Sequence, residues 1–146
     1  MIDDPAPYGH LVDALIARTH LVKVSEEDLR ALNPVEEPLA TASRWAKAGP
    51  ELVVVTHGRG GASALLPAGT IVRRDAPAVK VVDTVGAGDA FTAGLLAWLS
   101  WHDSLRPGAL HALPDRQVAE ALDLANQVAA LACTRPGADP PHRSDL

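Results

Sequence analysis

A single cysteine, Cys133, and a single methionine are all the sulfur in this chain. One cysteine excludes an internal disulfide and a cysteine-built zinc site, and it fits a reducing compartment. Aromatic residues make up only 3% of the sequence, so alanine, valine and leucine must fill the core, and no platform of rings is available for stacking bases. Positive charge is also scarce. The formal net charge of -5 and the lack of a basic stripe argue against a nucleic-acid partner. No apolar run approaches the length of a membrane span, and Met1-Ile2-Asp3-Asp4 lacks the basic start of a signal peptide. The expectation is a cytoplasmic protein with neither membrane nor nucleic acid as partner. The six histidines show no paired metal-ligand spacing, no Ser-His-Asp arrangement follows from spacing, and there is no internal repeat.

The 146 residues, 47% hydrophobic and 21% charged, are an ordinary balance for one soluble domain with a sizeable core. The domain is expected over residues 1–138, with the proline-rich, polar stretch 139–146 as a frayed, flexible tail. Asp3-Asp4-Pro5-Ala6-Pro7 predicts a non-helical turn. Leu11, Val12, Leu15 and Ile16 have the spacing of a helix face, and His20 to Val24 reads as a strand. Ser25 followed by Asp28 is a capping signal that starts a helix. Val35 to Ala48 reads as a helix closed by Gly49-Pro50, with Trp45 as a packing residue. Leu52 to Val55 predicts a buried parallel strand, and Ala62–Leu66 with Ile71–Arg74 a hairpin. Val79 to Val82 reads as another buried strand, and Ala90 to Leu99 as a helix. The apolar series Val118, Ala121, Leu122, Ala125, Val128, Ala129, Ala132 is one face of a long helix. Strands alternating with helices predict an α/β domain of three layers, in which ligands bind where strands end.

One stretch stands out, Asp83-Thr84-Val85-Gly86-Ala87-Gly88-Asp89-Ala90-Phe91-Thr92-Ala93-Gly94. A glycine turn here opens a helix whose first N–H groups have no intrahelical partner, a natural anion site. Asp89 puts a carboxylate where the anion belongs. That is costly for binding alone and sensible if the carboxylate takes a proton from an attacking hydroxyl. The plainer reading has glycines that only permit packing and Asp89 as a helix N-terminal charge.

This stretch closely resembles the C-terminal signature of the ribokinase-like (PfkB) sugar kinases. The resemblance implies a ribokinase-like three-layer fold with a mostly parallel sheet. It covers only the C-terminal half of that family's chain, so the sugar-contacting residues and the lid fall outside it, and the sequence is expected to be a fragment, a truncated product or a remnant. The resemblance implies that Asp89 is the catalytic base and that the amides of Gly86, Ala87 and Gly88 form an anion hole for the transferred phosphoryl group. Lys23-Val24-Ser25-Glu26 resembles the family's Asn-x-x-Glu motif in its lysine-bearing, fructokinase-like form, which implies that Lys23 serves the nucleotide and that Glu26 organises Mg2+ and phosphate through water. A simple capping box accounts for the same residues. Thr56-His57-Gly58-Arg59-Gly60-Gly61 resembles the family's Thr-x-Gly-x-x-Gly loop, implying that Thr56, Gly58, Arg59 and Gly61 meet the ATP phosphates. Asn126, on the long helix, would border the adenine.

Cys133-Thr134-Arg135-Pro136-Gly137-Ala138 resembles the family's last loop. Relatives with a K+ site build it from the carboxylate matching Asp83 and the carbonyls matching Val85, Ala132, Arg135 and Gly137. Pro141 stands where a further side-chain oxygen is expected and has none, which argues against that site here, and a cap on the turn explains Asp83 equally. Near the start, Asp4-Pro5 matches a fructokinase pattern that Ala6 and Tyr8 depart from. Two functions remain in view: ATP-dependent phosphorylation of a sugar hydroxyl, or a non-catalytic nucleotide-binding or interaction module. A sheet cut in half also implies pairing, either with a second copy or with a missing N-terminal half.

Overall fold

Val53 and Val55 point to one side of a strand and Leu52 and Val54 to the other, and all four are buried. A strand with two apolar faces needs a layer of helices on each. The computed structural model describes residues 5–145 and shows those layers. The chain runs α1 (Pro5–Ile16), β1 (Leu21–Ser25), α2 (Glu26–Leu32), α3 (Pro38–Ala46), β2 (Leu52–Thr56), β3 (Ala62–Leu65), β4 (Ile71–Arg74), α4 (Ala87–Trp101) and α5 (Asp115–Ala132), with 3₁₀ turns at Gly58–Gly60 and Arg143–Asp145. On one face, Val53, Val55, Val22 and Leu65 pack against Leu29 of α2 and Ala42, Trp45 and Ala46 of α3, with Val12 and Ile16 of α1 at the margin. On the other, Leu52, Val54, Ala62 and Ala64 meet Phe91, Leu95, Trp98 and Leu99 of α4 and Val118, Ala121, Leu122 and Ala125 of α5. Burying each such valine or leucine stabilises the fold by about 1.5–3 kcal/mol, so these two clusters hold the three layers together.

The sheet order is β1-β2-β3-β4. β1 and β2 are parallel, with Leu21 opposite Leu52 and Ser25 opposite Thr56. β2–β3 and β3–β4 are antiparallel. Parallel pairing requires a long crossover, which α2 and α3 provide; the short turns at Gly58–Gly60 and after Leu65 permit only hairpins. The sheet of this half is therefore mixed, with only its β1–β2 pair parallel. β1 has a single neighbour and forms one edge. No helix among the described residues is long and apolar enough to cross a membrane.

Four local expectations need correction. The helix α1 begins at Pro5, where a non-helical turn was predicted, because prolines in a first turn give up N–H groups that have no intrahelical acceptor anyway. Asp4, the other member of the Asp4-Pro5 pair, lies outside the described residues, as do Met1, Ile2, Asp3 and Leu146. The run Val79 to Val82 is exposed coil and not a buried strand: Val82 is 58% exposed. Pro77 interrupts the approach, Asn126 holds the carbonyls of Arg74 and Asp75 where the chain leaves β4, and no strand among the described residues lies alongside. The helix after the glycine turn starts earlier than Ala90, at Ala87, which makes Asp89 its third residue. The predicted helix from Val35 is α3, whose start is set by Pro38 in its first turn.

The stretch after α5 is bonded to the body by the Gly137 N–H, which donates to Asp83, and by the Cys133 carbonyl, which accepts from Val82; the ion pairs of Arg135 lie within the stretch itself. Arg135 pairs with Asp145 at 2.9 Å and with Asp139 at 3.6 Å, and the His142 N–H donates to Asp145.

Candidate active site

Gly86 caps α4 in the left-handed conformation, φ 78°, with no side chain closing the helix end. The N–H of Ala87 donates to the Thr84 carbonyl over a long 3.2 Å, while among the described residues no carbonyl accepts from Gly86, Gly88 or Asp89. The helix thus offers bare amides and the positive end of its dipole. Lys23 reaches the same place from β1: its Nζ lies 3.2 Å from where a Cβ on Gly88 would stand. The ammonium has no acidic partner among the described residues. A lysine and a helix N-terminus repel one another unless an anion comes between them, so this pair defines an anion site more sharply than the glycines do.

The turn itself is pinned by Asp83. Its Oδ1 accepts from the Val85 N–H at 3.0 Å and its Oδ2 from the Gly137 N–H at 2.8 Å. The Val85 amide, then the Gly137 amide, hold this carboxyl below the usual carboxylate range. The Val82 N–H, at 2.8 Å, donates to the Cys133 carbonyl alongside. The capping reading of Asp83 is thus realised. Of the expected cation carbonyls, that of Ala132 accepts from the Arg135 N–H and that of Gly137 from the Asp139 N–H. Among the described residues no three acidic, cysteine or histidine side chains gather to hold a metal. The carboxylate of Asp83 and the carbonyls of Ala132 and Gly137 each accept an N–H and keep further lone pairs, so these bonds leave Asp83, Val85, Ala132, Arg135 and Gly137 able to accept from more than the N–H groups.

The loop after β2 is built differently. The His57 N–H donates to the Gly61 carbonyl at 2.8 Å and the Gly61 N–H to the Gly58 carbonyl at 3.1 Å. Gly61 has φ 83°, and an added Cβ would sit 2.6 Å from the Ala76 nitrogen, against the chain leaving β4. Only glycine fits there. Arg59 projects from the loop and has no partner among the described residues.

A cleft of about 260 Å³ joins these parts. Thr56, Gly58, Arg59 and Gly61 line it from the loop, Thr84, Ala87, Gly88 and Phe91 from the turn and α4, and Asn126, Ala129, Ala130 and Cys133 from α5. Ala76, Pro77, Val79 and Val81 close its rim. A second cleft, about 280 Å³, lies on the other side of the turn, lined by Val85, Gly86, Asp89, Ala90, Ala93, Ala132 and Ala138. Asp89 is exposed there and makes no bond within the described residues. The glycine turn is the partition between the clefts.

Glu26 stands apart from both. It is the first residue of α2, and the capping reading of its neighbours is correct: Ser25 Oγ accepts from the Asp28 N–H at 3.0 Å. The Glu26 carboxylate accepts from Arg30 on its own helix and lies 2.7 Å from His57 Nδ1. The His57 bond, more than the Arg30 charge, holds its pKa below the ordinary value, against the opposing effect of burial. Each oxygen retains a lone pair directed to solvent, which suits contact with a hydrated ion and not direct ligation. Sequence reasoning assigned no role to His57, Thr84, Cys133 or Phe91, although all four lie inside the quoted stretches.

A family model described as pfkB family carbohydrate kinase matches residues 1–145. A fructokinase of Klebsiella pneumoniae is 37% identical over 148 residues, 98% of this chain and 45% of its own length. A fructokinase of Rhizobium leguminosarum bv. trifolii is 34% identical over 84% of this chain. Among solved structures, aminoimidazole riboside kinase from Salmonella enterica, complexed with aminoimidazole riboside and an ATP analogue, superposes with a TM-score of 0.75 at 30% identity, covering 92% of this chain and 42% of its own. A double mutant of fructokinase from Vibrio cholerae O395, bound to fructose, ADP and potassium ion, gives 0.71 at 32% identity over 93% of this chain and 41% of its own. This chain thus spans less than half the length of each of these four relatives. Within that span, the chain belongs to the pfkB family of carbohydrate kinases.

Proposed function

We propose that this chain carries the nucleotide-binding and phosphoryl-transferring part of an ATP-dependent kinase for a sugar hydroxyl, of fructose or a ribose-like sugar. The observation that supports this most is the placement of Lys23 opposite the uncapped start of α4, with Asp89 on the far side of the same turn. The cleft lined by Thr56, Gly58, Arg59, Gly61 and Asn126 takes the nucleotide, so that its terminal phosphate reaches the Lys23–Gly88 gap. The sugar hydroxyl approaches from the second cleft. Asp89 accepts its proton as the oxygen attacks, and the amides of Gly86 and Gly88, with Ala87 sharing its long bond, stabilise the charge on the transferring group. Positioning and charge are most of what phosphoryl transfer requires. Magnesium, held through water by Glu26, supplies charge neutralisation on the phosphates when bound.

The alternative is a nucleotide-binding or interaction module without catalysis. The edge of β1, which has a single neighbour among the described strands, favours it; pairing with a second copy or with an N-terminal half would cover that edge. Thermal melting with and without magnesium-ATP tests the first part of the proposal. Ligand binding to the folded chain alone raises the midpoint by mass action. The expected result is an upward shift together with protection of Cys133, which lines the nucleotide cleft, from a thiol reagent. A cooperative melt with neither effect would overturn the nucleotide assignment. A shift without phosphorylation of any sugar in a panel would favour the binding module.

A further inference from the structure

The Thr56–Gly61 loop and the Glu26 helix start are separate stretches of sequence, yet one side chain ties them together. His57 is only 9% exposed, and both ring nitrogens are engaged. Nδ1 lies 2.7 Å from Glu26 Oε2, and Nε2 lies 2.9 Å from the Oγ of Ser63 on β3. A carboxylate can only accept, so Nδ1 carries the proton and, in the neutral ring, the buried Ser63 hydroxyl donates to Nε2. Ser63 thereby fixes the ring from behind. Arg30 competes for the same carboxylate through its other oxygen, but it is 58% exposed and lies one turn along α2, a weak and solvent-screened partner. Without the imidazole, the carboxylate would follow Arg30 outward along its own helix, away from the glycine loop.

We propose that His57 is a positioning residue: it holds the Glu26 carboxylate at the edge of the glycine loop, so that Glu26 can meet the hydrated magnesium of the nucleotide. This inference rests on the role given to Glu26 above. Its partner on the ligand side is the magnesium–nucleotide complex, and His57 itself touches neither phosphate nor metal.

The two amide side chains separate the bonds. Asparagine places its NH₂ where Nδ1 stands and keeps the bond to Glu26, whereas glutamine places its amide near Nε2 and keeps only Ser63. The experiment is calorimetric titration of the full chain with ADP, in the presence and absence of magnesium. Glu26→Gln is expected to remove the magnesium-dependent gain in affinity. His57→Gln should reduce that gain by about tenfold, the usual effect of losing a group that orients a metal-binding side chain, and His57→Asn should largely retain it. Magnesium-free ADP binding should be the same in all. Equal losses for Asn and Gln would mean a packing role and overturn the proposal, while leaving the Glu26 reading intact if Glu26→Gln had lost the gain. A Glu26→Gln variant that keeps the full gain, or a parent chain that shows none, would overturn the Glu26 reading and this inference with it. Should the glutamine variant fail to fold, Ser63→Ala releases the ring from behind, and an undiminished magnesium-dependent gain in that variant also overturns the proposal.

Discussion

The two glycine-rich segments of this chain look alike in sequence and are held in opposite ways. The Thr56–Gly61 loop is closed on itself by hydrogen bonds and jammed against the chain leaving β4, with Gly61 leaving no space for a Cβ. The Asp83–Gly88 turn is anchored from one side by Asp83 and otherwise left open, with amides, a lysine and an aspartate that satisfy nothing within the fold. The first segment uses glycine for packing. The second uses it for approach by something outside the chain. A lysine and an aspartate without partners beside bare helix amides, more than glycine content, mark the reactive turn, whereas the first loop carries only Arg59 unpaired among the described residues.

That contrast can be broken most sharply at Asp89. Asp89→Asn is expected to lower phosphotransfer by about 10²–10⁴-fold and to leave nucleotide affinity nearly unchanged, as read by a coupled kinase assay beside calorimetry. Comparable turnover would remove the base assignment. Next come the glycines. Gly61→Ala should cost roughly 3 kcal/mol of stability, from overlap with the β4 exit and a backbone region closed to other residues. Gly86→Ala should cost about 1–2 kcal/mol, chiefly the left-handed penalty, because its new Cβ would stand 3.1 Å from that of Ala138, a tighter approach than normal but far less severe than at Gly61. Chemical denaturation that ranked them the other way would reverse the account of both segments. Lys23→Met should weaken magnesium-ATP binding by about tenfold, the loss of one charge-assisted contact, and leave the melting midpoint without nucleotide where it was, because Lys23 has no internal partner to lose.

The smallest effect is that of pH on Asp83. Its carboxyl is held below the ordinary value of 3.8 by two amides, so the folded state prefers the charged form. Its stabilisation is present in full above that value and is lost as pH falls through the lower folded pKa. The stability difference between the parent and Asp83→Asn, measured by denaturation from pH 6 downward, should therefore narrow on acidification. A difference independent of pH would show that the negative charge is not what pins the turn.

Sequence alone was a good guide wherever local chemistry decides structure. The Ser25 cap, the continuous apolar run Leu52 to Val55 and the apolar stripe of α5 each follow from local sequence, and each is realised. It misled where a segment depends on neighbours. Val79 to Val82 has strand composition, but a strand exists only when another lies beside it, and here the chain crosses the mouth of the cleft instead. Pro5 and Pro7 read as helix breakers because their place in the first turn cannot be known before the helix is. The site was legible as three loops that follow strands or precede a helix. What joins them was not: His57 linking Glu26 to Ser63, Asn126 fastening β4, and Lys23 standing over Gly88 are meetings between residues far apart in sequence.

The Asp83 carboxylate has one more consequence. It takes the Val85 amide of the turn with one oxygen and the Gly137 amide, beyond α5, with the other. Neither amide can exchange its hydrogen with solvent without releasing the same side chain. The start of α4 and the stretch after α5 are thus one opening unit, whose two protons exchange in step although 51 residues of chain lie between Val85 and Gly137.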